Sequence, residues 1–143
     1  MIGYLDTSAF VPLLVAESGS AACRRFWDDA DAVVSCRLLY VEAAAALAQA
    51  HRMARLDERA HRLARSRLDE LWTEIEVIEI DHQVAVLAAD VADRQALRGY
   101  DSVHCAAAAQ LSDDDLVAAA GDRRLLAAWR ALGIATYDVN AGP

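Results

Sequence analysis

The sequence predicts an α/β fold with a mostly parallel central sheet of about five strands, covered by helices. Two observations predict it. Short apolar runs rich in aliphatic residues alternate with longer stretches whose apolar residues recur at helical spacing. Strands that alternate with helices in this way usually lie parallel in one sheet. A length of 143 residues suits a single core, so we expect residues 1–143 to form one domain.

Five short runs are predicted to form the strands. Aliphatic runs of this length suit the buried strands of a parallel sheet. In chain order they are Ile2–Leu5, Ala32–Ser35, Val77–Ile80, Leu116–Ala119 and Ile134–Tyr137.

The longer segments between these runs are predicted to form seven helices. In chain order they are Ser8–Ala16, Gly19–Asp28, Leu38–Met53, Asp57–Ile75, Gln83–Leu97, Ser102–Leu111 and Arg123–Leu132. Asp57 and Asp81 stand where a side chain commonly caps a helix N-terminus. Gly99 and Gly133 stand where helices commonly end in the left-handed conformation.

Composition and charge exclude several classes of protein. The formal net charge of -8 disfavours direct binding of duplex DNA, because that affinity depends on neutralising phosphates. No apolar stretch reaches the roughly 18 to 20 residues that span a membrane, and no signal-peptide pattern opens the chain. We therefore expect a cytoplasmic protein with no membrane association. Cys23, Cys36 and Cys105 include no CxxC pair, so neither a disulfide framework nor a zinc knuckle is expected.

Four carboxylates each lie in or against an apolar run: Asp6, Glu42, Asp101 and Asp122. Removing an ionised carboxylate from water costs several kcal/mol unless a cation or hydrogen-bond donors compensate it. Four such acids suggest a shared cation, which would also attract phosphate locally despite the acidity of the whole chain.

The predicted elements place these acids at one edge of the sheet. Asp6 ends the first strand and Asp122 follows the fourth, while Glu42 and Asp101 lie in early turns of helices. Ligands of parallel sheets bind beyond the carboxyl ends of the strands, where helix N-termini also point. All four side chains can therefore reach the same site.

Each acid also has an ordinary structural interpretation. Asp6, Asp101 and Asp122 could cap helices by accepting hydrogen bonds from backbone N–H groups. Glu42 could be an exposed residue on a helix. The combination of four favours a functional site more strongly than any one acid does.

The flanks of these acids form recognisable segments. They are Tyr4-Leu5-Asp6-Thr7-Ser8-Ala9, Glu42, Leu97-Arg98-Gly99-Tyr100-Asp101-Ser102-Val103-His104 and Gly121-Asp122-Arg123-Arg124-Leu125. With these segments in this order, the chain resembles PIN-domain ribonucleases and, within them, the VapC toxins of bacterial toxin-antitoxin pairs. The resemblance runs over nearly the whole length.

The resemblance implies a PIN-like nuclease domain whose acidic cluster binds Mg²⁺ or Mn²⁺ and hydrolyses RNA phosphodiester bonds. Asp6, Glu42 and Asp101 match the three core acids of the family, and Asp122 matches its later, more variable acid. We expect Asp6 and Asp101 to be the main metal ligands and Glu42 to bind directly or through water. Asp122 is expected to orient water or to complete a second metal site.

The same resemblance implies hydroxyl residues beside the first acid, where Ser8 and Thr7 stand. The chain departs from the family at Ala120, because many members carry a hydroxyl residue two positions before the last acid.

The resemblance further implies partners. VapC toxins are endoribonucleases that inhibit translation and are neutralised by a VapB-type antitoxin, whose extended segment lies across the active-site groove. They commonly form homodimers. We therefore expect an RNA substrate, a cognate antitoxin and a homodimer, with DNA contacted only indirectly through the antitoxin.

Two alternatives come from other classes. The segment around Asp6 is similar to the nucleophile of haloacid-dehalogenase-like phosphatases, although Ser8 stands where that chemistry usually needs a second Asp. A noncatalytic module could instead use the acids to engage a basic partner.

Several neighbouring residues stay outside the predicted catalytic set. His104 lies three residues after Asp101 and is a conceivable general base, although a packed, hydrogen-bonded histidine is favoured. Arg98, Arg123 and Arg124 are candidates for contacts with phosphates or with acidic side chains.

Overall fold

The computed structural model describes residues 1–141. Its sheet contains five parallel strands in the order β3-β2-β1-β4-β5. They are β1 (Ile2–Leu5), β2 (Ala32–Cys36), β3 (Ile75–Ile78), β4 (Leu116–Ala120) and β5 (Ala135–Asp138). The predicted α/β class with about five strands is confirmed. The prediction of one domain over residues 1–143 extends to residues 142 and 143, which lie outside the described residues.

Seven α-helices cover the sheet in the described part of the chain. They are α1 (Thr7–Phe10), α2 (Ser20–Asp29), α3 (Leu38–Arg52), α4 (Glu58–Trp72), α5 (His82–Gln95), α6 (Gly99–Gln110) and α7 (Arg123–Ala131). None of the helices in residues 1–141 has both the length and the apolar composition to cross a membrane.

The two faces of the sheet bury separate parts of the core because successive side chains of a strand point to opposite faces. On β1, Tyr4 packs on the face that contains Trp129, and Leu5 packs on the face that contains Phe26. All four of these side chains are almost completely buried. The end of β1 is therefore fixed from both sides.

The strand order creates a crevice at the ends of β1 and β4. From β1 the chain proceeds to β2 and β3, which lie to one side of β1 within the sheet. It then crosses over to β4 and β5, which lie to the other side of β1. Ligands bind at the carboxyl ends of the strands where such a reversal occurs. Asp6 directly follows β1 and Asp122 follows β4 after one glycine, so both lie at this crevice.

The predicted single helix over Ser8–Ala16 is wrong. Helix α1 ends at Phe10, and a 3-10 turn follows over Val11–Leu13. Pro12 lies in this turn, where its ring and missing N–H group prevent the α-helix from continuing.

The boundary between α4 and β3 is also displaced from the prediction. Helix α4 ends at Trp72 instead of Ile75, and β3 begins at Ile75 instead of Val77. Ile75 is buried and pairs with Val33 of β2, so it belongs to the strand and not to the helix. Ile80, predicted as the last strand residue, lies beyond β3 and is 40% exposed.

Of the two glycines predicted to end helices, Gly133 does so and Gly99 does not. Gly133 has a φ of 80° and confirms its left-handed position after α7. Gly99 instead begins α6, and Ala96 takes the left-handed conformation after α5 with a φ of 52°. Asp57 and Asp81 are confirmed as N-caps, since their side chains accept hydrogen bonds from Ala60 N and Val84 N.

Candidate active site

The four predicted carboxylates line one cleft at the crevice between β1 and β4. Its volume is about 450 Å³, and its walls include Asp6, Glu42, Asp101 and Asp122. The structure thus brings together side chains that are separated by up to 116 residues in the sequence. A smaller cavity adjoins this cleft and shares Asp101 and Asp122 with it.

Asp6 is the most deeply buried of the four acids, with 4% of its surface exposed. Its Oδ1 accepts hydrogen bonds from Ser8 Oγ at 2.7 Å and from Ala9 N at 3.0 Å. Burial raises the pKa of Asp6 to about 6, although the charge of His104 and these two donors oppose the rise. Asp6 therefore carries a negative charge at neutral pH that its protein neighbours compensate only in part.

Ser8 links Asp6 to the loop that carries Asp122. While its hydroxyl donates to Asp6, the same oxygen accepts a hydrogen bond from Gly121 N at 2.7 Å. Asn140 supports this loop from the other side, because its Nδ2 donates to Gly121 O at 3.1 Å. The ends of β1 and β4 are held together by this chain of hydrogen bonds.

Glu42 is held by residues from two other elements. Its Oε1 accepts hydrogen bonds from Thr7 Oγ1 at 2.8 Å and from His104 Nε2 at 2.6 Å. The other ring nitrogen of His104, Nδ1, lies 2.8 Å from Tyr4 Oη. These contacts fix the position of Glu42 in the cleft wall.

His104 is a buried cation in this arrangement. Burial opposes the charged form, but hydrogen bonds with Cys36 and Glu42 raise the pKa of His104 above its usual value. The pKa of Glu42 is lowered: burial alone would raise it, but the hydrogen bond and charge of His104 outweigh that cost. The packed, hydrogen-bonded histidine favoured by the sequence is confirmed. A general base is not supported, because His104 is 1% exposed and both ring nitrogens are engaged.

Asp101 and Asp122 complete the acidic wall. Burial and the neighbouring charge of Asp122 raise the pKa of Asp101, while His104 and Arg98 oppose the rise. Asp122 caps α7, and its Oδ1 accepts hydrogen bonds from Arg124 N at 2.8 Å and from Leu125 N at 3.0 Å.

Two of the four acids cap helices through a single carboxylate oxygen. Asp6 caps α1 and Asp122 caps α7, in each case through Oδ1 alone. Within residues 1–141, no hydrogen bond involves the second oxygen of either carboxylate, so that oxygen is available to a ligand. The capping alternative is wrong for Asp101, because Arg98 occupies the N-cap position of α6.

The donor set fits a divalent cation of the Mg²⁺ type. Mg²⁺ prefers carboxylate oxygens and retains several water ligands. Two of the four acids, Asp6 and Asp101, have raised pKa values, mainly because they are wholly or partly buried, so a bound cation would stabilise their charged forms. Among residues 1–141, no three His, Cys, Asp or Glu side chains are arranged to hold one ion together. The cleft therefore offers carboxylate oxygens to a cation without a complete set of protein ligands for one ion.

Ala120, where the family resemblance implied a hydroxyl residue, lies at a tightly packed position. Ala120 is completely buried and lies in the same core cluster as Tyr4 and Trp129. The hydroxyl group of Ser8 contacts the loop after Ala120, because it accepts a hydrogen bond from Gly121 N.

Sequence reasoning missed part of the support around the acids. Tyr4 and Asn140 were not identified, and the roles of Thr7 and His104 in holding Glu42 were not predicted. The spacing of His104 from Asp101 places both on one helical face, which was a usable signal. Asn140 has no local signal, because its contact with Gly121 arises only from the pairing of β4 with β5.

Comparison with known proteins agrees with this fold. A family model described as "PIN domain" matches residues 3–129, and the chain therefore belongs to the PIN-domain family.

One relative that matches over nearly its whole length is a VapC ribonuclease. Ribonuclease VapC49 of Mycobacterium tuberculosis is 41% identical over 140 residues, which is 98% of this chain and 97% of that protein. Two solved structures show the same fold at lower identity. FitAcB from Neisseria gonorrhoeae has a TM-score of 0.73 at 19% identity, covering 97% of this chain and 98% of that one. VapBC2 from Rickettsia felis, bound to a DNA fragment from its promoter, has a TM-score of 0.64 at 10% identity, covering 96% and 98%.

Proposed function

We propose that this protein is a metal-dependent endoribonuclease toxin that hydrolyses RNA phosphodiester bonds and so inhibits translation. The observation that carries the proposal is the single cleft lined by Asp6, Glu42, Asp101 and Asp122 at the reversal point of the sheet. Membership in the PIN-domain family and the likeness to a VapC ribonuclease support the reaction class. RNA in the cytoplasm is the corresponding substrate.

The four acids have different roles in this proposal. Asp6 and Asp101 would be the main ligands of Mg²⁺ or Mn²⁺, because both are partly or fully buried with raised pKa values. Glu42 would bind directly or through water, and Asp122 would orient water or complete a second metal site. When bound, such an ion polarises a phosphoryl oxygen and favours formation of hydroxide from water.

The surrounding residues position these acids. Thr7 and His104 restrict Glu42 to one orientation, and Ser8 holds Asp6 in register with the loop that carries Asp122. A preorganised arrangement needs little reorganisation when charge develops during the reaction. Positioning therefore depends on hydrogen bonds between elements that are distant in the sequence.

We further propose a VapB-type antitoxin as the partner that blocks this cleft and a homodimer as the assembly of the toxin. Family membership and the solved VapBC2 complex support the antitoxin. DNA would be contacted only through the antitoxin, because the net charge of -8 opposes direct binding to a duplex.

A phosphatase of the haloacid-dehalogenase type is not favoured. That chemistry needs a second acid two residues after the nucleophile, and this place is held by Ser8, whose hydroxyl binds Asp6 and Gly121. A phosphoenzyme formed on Asp6 would contradict our assignment. Calorimetric titration with Mg²⁺ tests the other alternative, since a purely binding module need not bind metal.

The function is tested by mapping the 5′ ends of cellular RNA after expression of the wild type or of Asp6→Asn. We expect new, specific 5′ ends with the wild type alone. Identical 5′ ends with both proteins would refute the nuclease assignment.

A further inference from the structure

A second cavity opens directly beside the acidic cleft. It has a volume of about 240 Å³ and is lined by Leu97, Arg98, Asp101, Asp122 and Arg124. Because Asp101 and Asp122 also line the main cleft, the two spaces border the same two side chains. A chain molecule bound over these two acids can therefore extend into the smaller cavity, which we call the arginine cavity.

Neither arginine of this cavity is held in an ion pair within residues 1–141, although the charge of Arg98 lowers the pKa of Asp101. Arg98 and Arg124 are exposed, and no ion pair within 4.0 Å involves either of them in the described part of the chain. An unpaired guanidinium retains its planar set of donors, which matches the oxygens of a phosphate. Both cations stand beside an acidic cleft in a chain of net charge -8, where they provide local attraction for an anion.

The backbone adds a second feature that favours an anion. Arg98 is the N-cap residue of α6, and no side chain caps this helix. The first N–H groups of a helix, together with its dipole, attract negative charge. At the neighbouring helix α7 these groups are instead occupied by Asp122. The open helix end and the unpaired arginines thus lie at the same cavity.

We propose that the arginine cavity binds a phosphate of the RNA backbone next to the scissile one, with Arg98 and Arg124 as positioning residues. This inference rests on the proposed ribonuclease function. The cavity holds the RNA strand in register over Asp101 and Asp122, and it contributes to substrate binding without taking part in bond cleavage.

The kinetic test uses a short single-stranded RNA that spans the mapped cleavage site. Arg98→Gln and Arg124→Gln are each expected to raise KM by about two- to fivefold, the upper part of the range for one exposed ion pair, with kcat unchanged within about twofold. Arg123→Gln is the matched control, because Arg123 is an exposed neighbour that lines neither cavity. Its KM and kcat should equal those of the wild type.

Salt dependence gives a second measurement. Each arginine that neutralises a phosphate of single-stranded RNA should contribute about 0.7 to the slope of log(kcat/KM) against log salt. The double variant of Arg98 and Arg124 should therefore lose roughly 1.4 from this slope, while Arg123→Gln retains the full slope.

A chemical substitution in the RNA identifies the phosphate itself. Replacing one phosphate beside the scissile bond by a neutral methylphosphonate should raise the KM of the wild type and leave that of the double variant unchanged. Equal sensitivity of both proteins at every position, or equal effects of Arg98→Gln and Arg123→Gln, would overturn the inference.

Cleavage of the same RNA distinguishes a failure of the arginine-cavity inference from a failure of the proposed ribonuclease function. Loss of cleavage in a folded Asp101→Asn variant, combined with wild-type kinetics in both arginine variants, would refute the arginine cavity alone. Normal cleavage by Asp101→Asn would instead refute the ribonuclease assignment, and the inference with it.

Discussion

Replacing Asp6 by Asn should stabilise the metal-free protein while abolishing its activity. Asp6 is almost completely buried, and its pKa rises from 3.8 to about 6 on folding. The folded state therefore binds this proton more tightly than the unfolded state does. An ionised Asp6 destabilises the fold, and this cost is absent well below pH 3.8, grows between pH 3.8 and 6, and is complete above about pH 6.

The size of the effect follows from this shift. A difference of about two pKa units corresponds to about 3 kcal/mol, because each unit is worth 1.36 kcal/mol. This is an upper limit for Asp6→Asn. Asn keeps the volume of the side chain and an oxygen that can accept the hydrogen bonds from Ser8 and Ala9. We expect a gain of about 1 to 3 kcal/mol in the free energy of unfolding at pH 7.5.

Urea unfolding in EDTA, followed by circular dichroism at pH 7.5 and pH 4, measures this gain. The difference between Asp6→Asn and the wild type should fall below about 1 kcal/mol at pH 4, where folded Asp6 is protonated. Asp57→Asn is the control, since Asp57 caps α4 through Ala60 N but is exposed. It should bring no gain in the free energy of unfolding at pH 7.5. A loss of stability in Asp6→Asn at pH 7.5, or a difference that does not change with pH, would refute the reasoning.

Three further predictions concern the residues that position the acids. His104→Gln should lower kcat about tenfold or more and should destabilise the protein, because it removes the charged hydrogen bond to Glu42. Steady-state kinetics measures the first effect and urea unfolding the second. A kcat equal to that of the wild type would contradict a positioning role for His104. Ser8→Ala should weaken Mg²⁺ binding measured by calorimetry, because it removes the hydrogen bond to Asp6 and the hydrogen bond from Gly121 N. An unchanged affinity for Mg²⁺ would show that these two hydrogen bonds are dispensable. Gly121→Ala should cost about 1 kcal/mol in unfolding free energy, because its Cβ would lie 2.8 Å from Asn140 Nδ2 and displace the hydrogen bond from that amide. In an Asn140→Ala background the same change should cost less, and an undiminished cost would place the strain elsewhere.

The elements that position the site could be predicted because their signals are local. The aliphatic runs that form β1 and β4 are followed closely by Asp6 and Asp122, so the sequence alone indicates acids at the ends of strands. The predicted ends of helices and strands are wrong where another interaction overrides the local pattern of apolar residues. Pro12 stops a helix that the surrounding apolar residues would otherwise continue. Ile75 fits the periodicity of α4, but it is taken into β3 by pairing with β2.

The network that supports Glu42 could not be predicted in the same way. Tyr4 and His104 are 100 residues apart, and His104 and Glu42 are 62 residues apart. Only the packing of α6 and α3 against the end of β1 brings them together. The residue types of the acidic site are visible in the sequence, whereas the side chains that orient them become visible only when the fold is known.

We propose above all that the four carboxylates bind a divalent metal and that the protein cleaves RNA with it. Its most direct test is cleavage of purified cellular RNA by the isolated protein as Mg²⁺ is titrated, alongside a folded Asp101→Asn variant. We predict specific cleavage that requires Mg²⁺, stops in EDTA and is absent in the variant at every Mg²⁺ concentration. Cleavage that persists in EDTA, or equal cleavage by Asp101→Asn, would contradict the account.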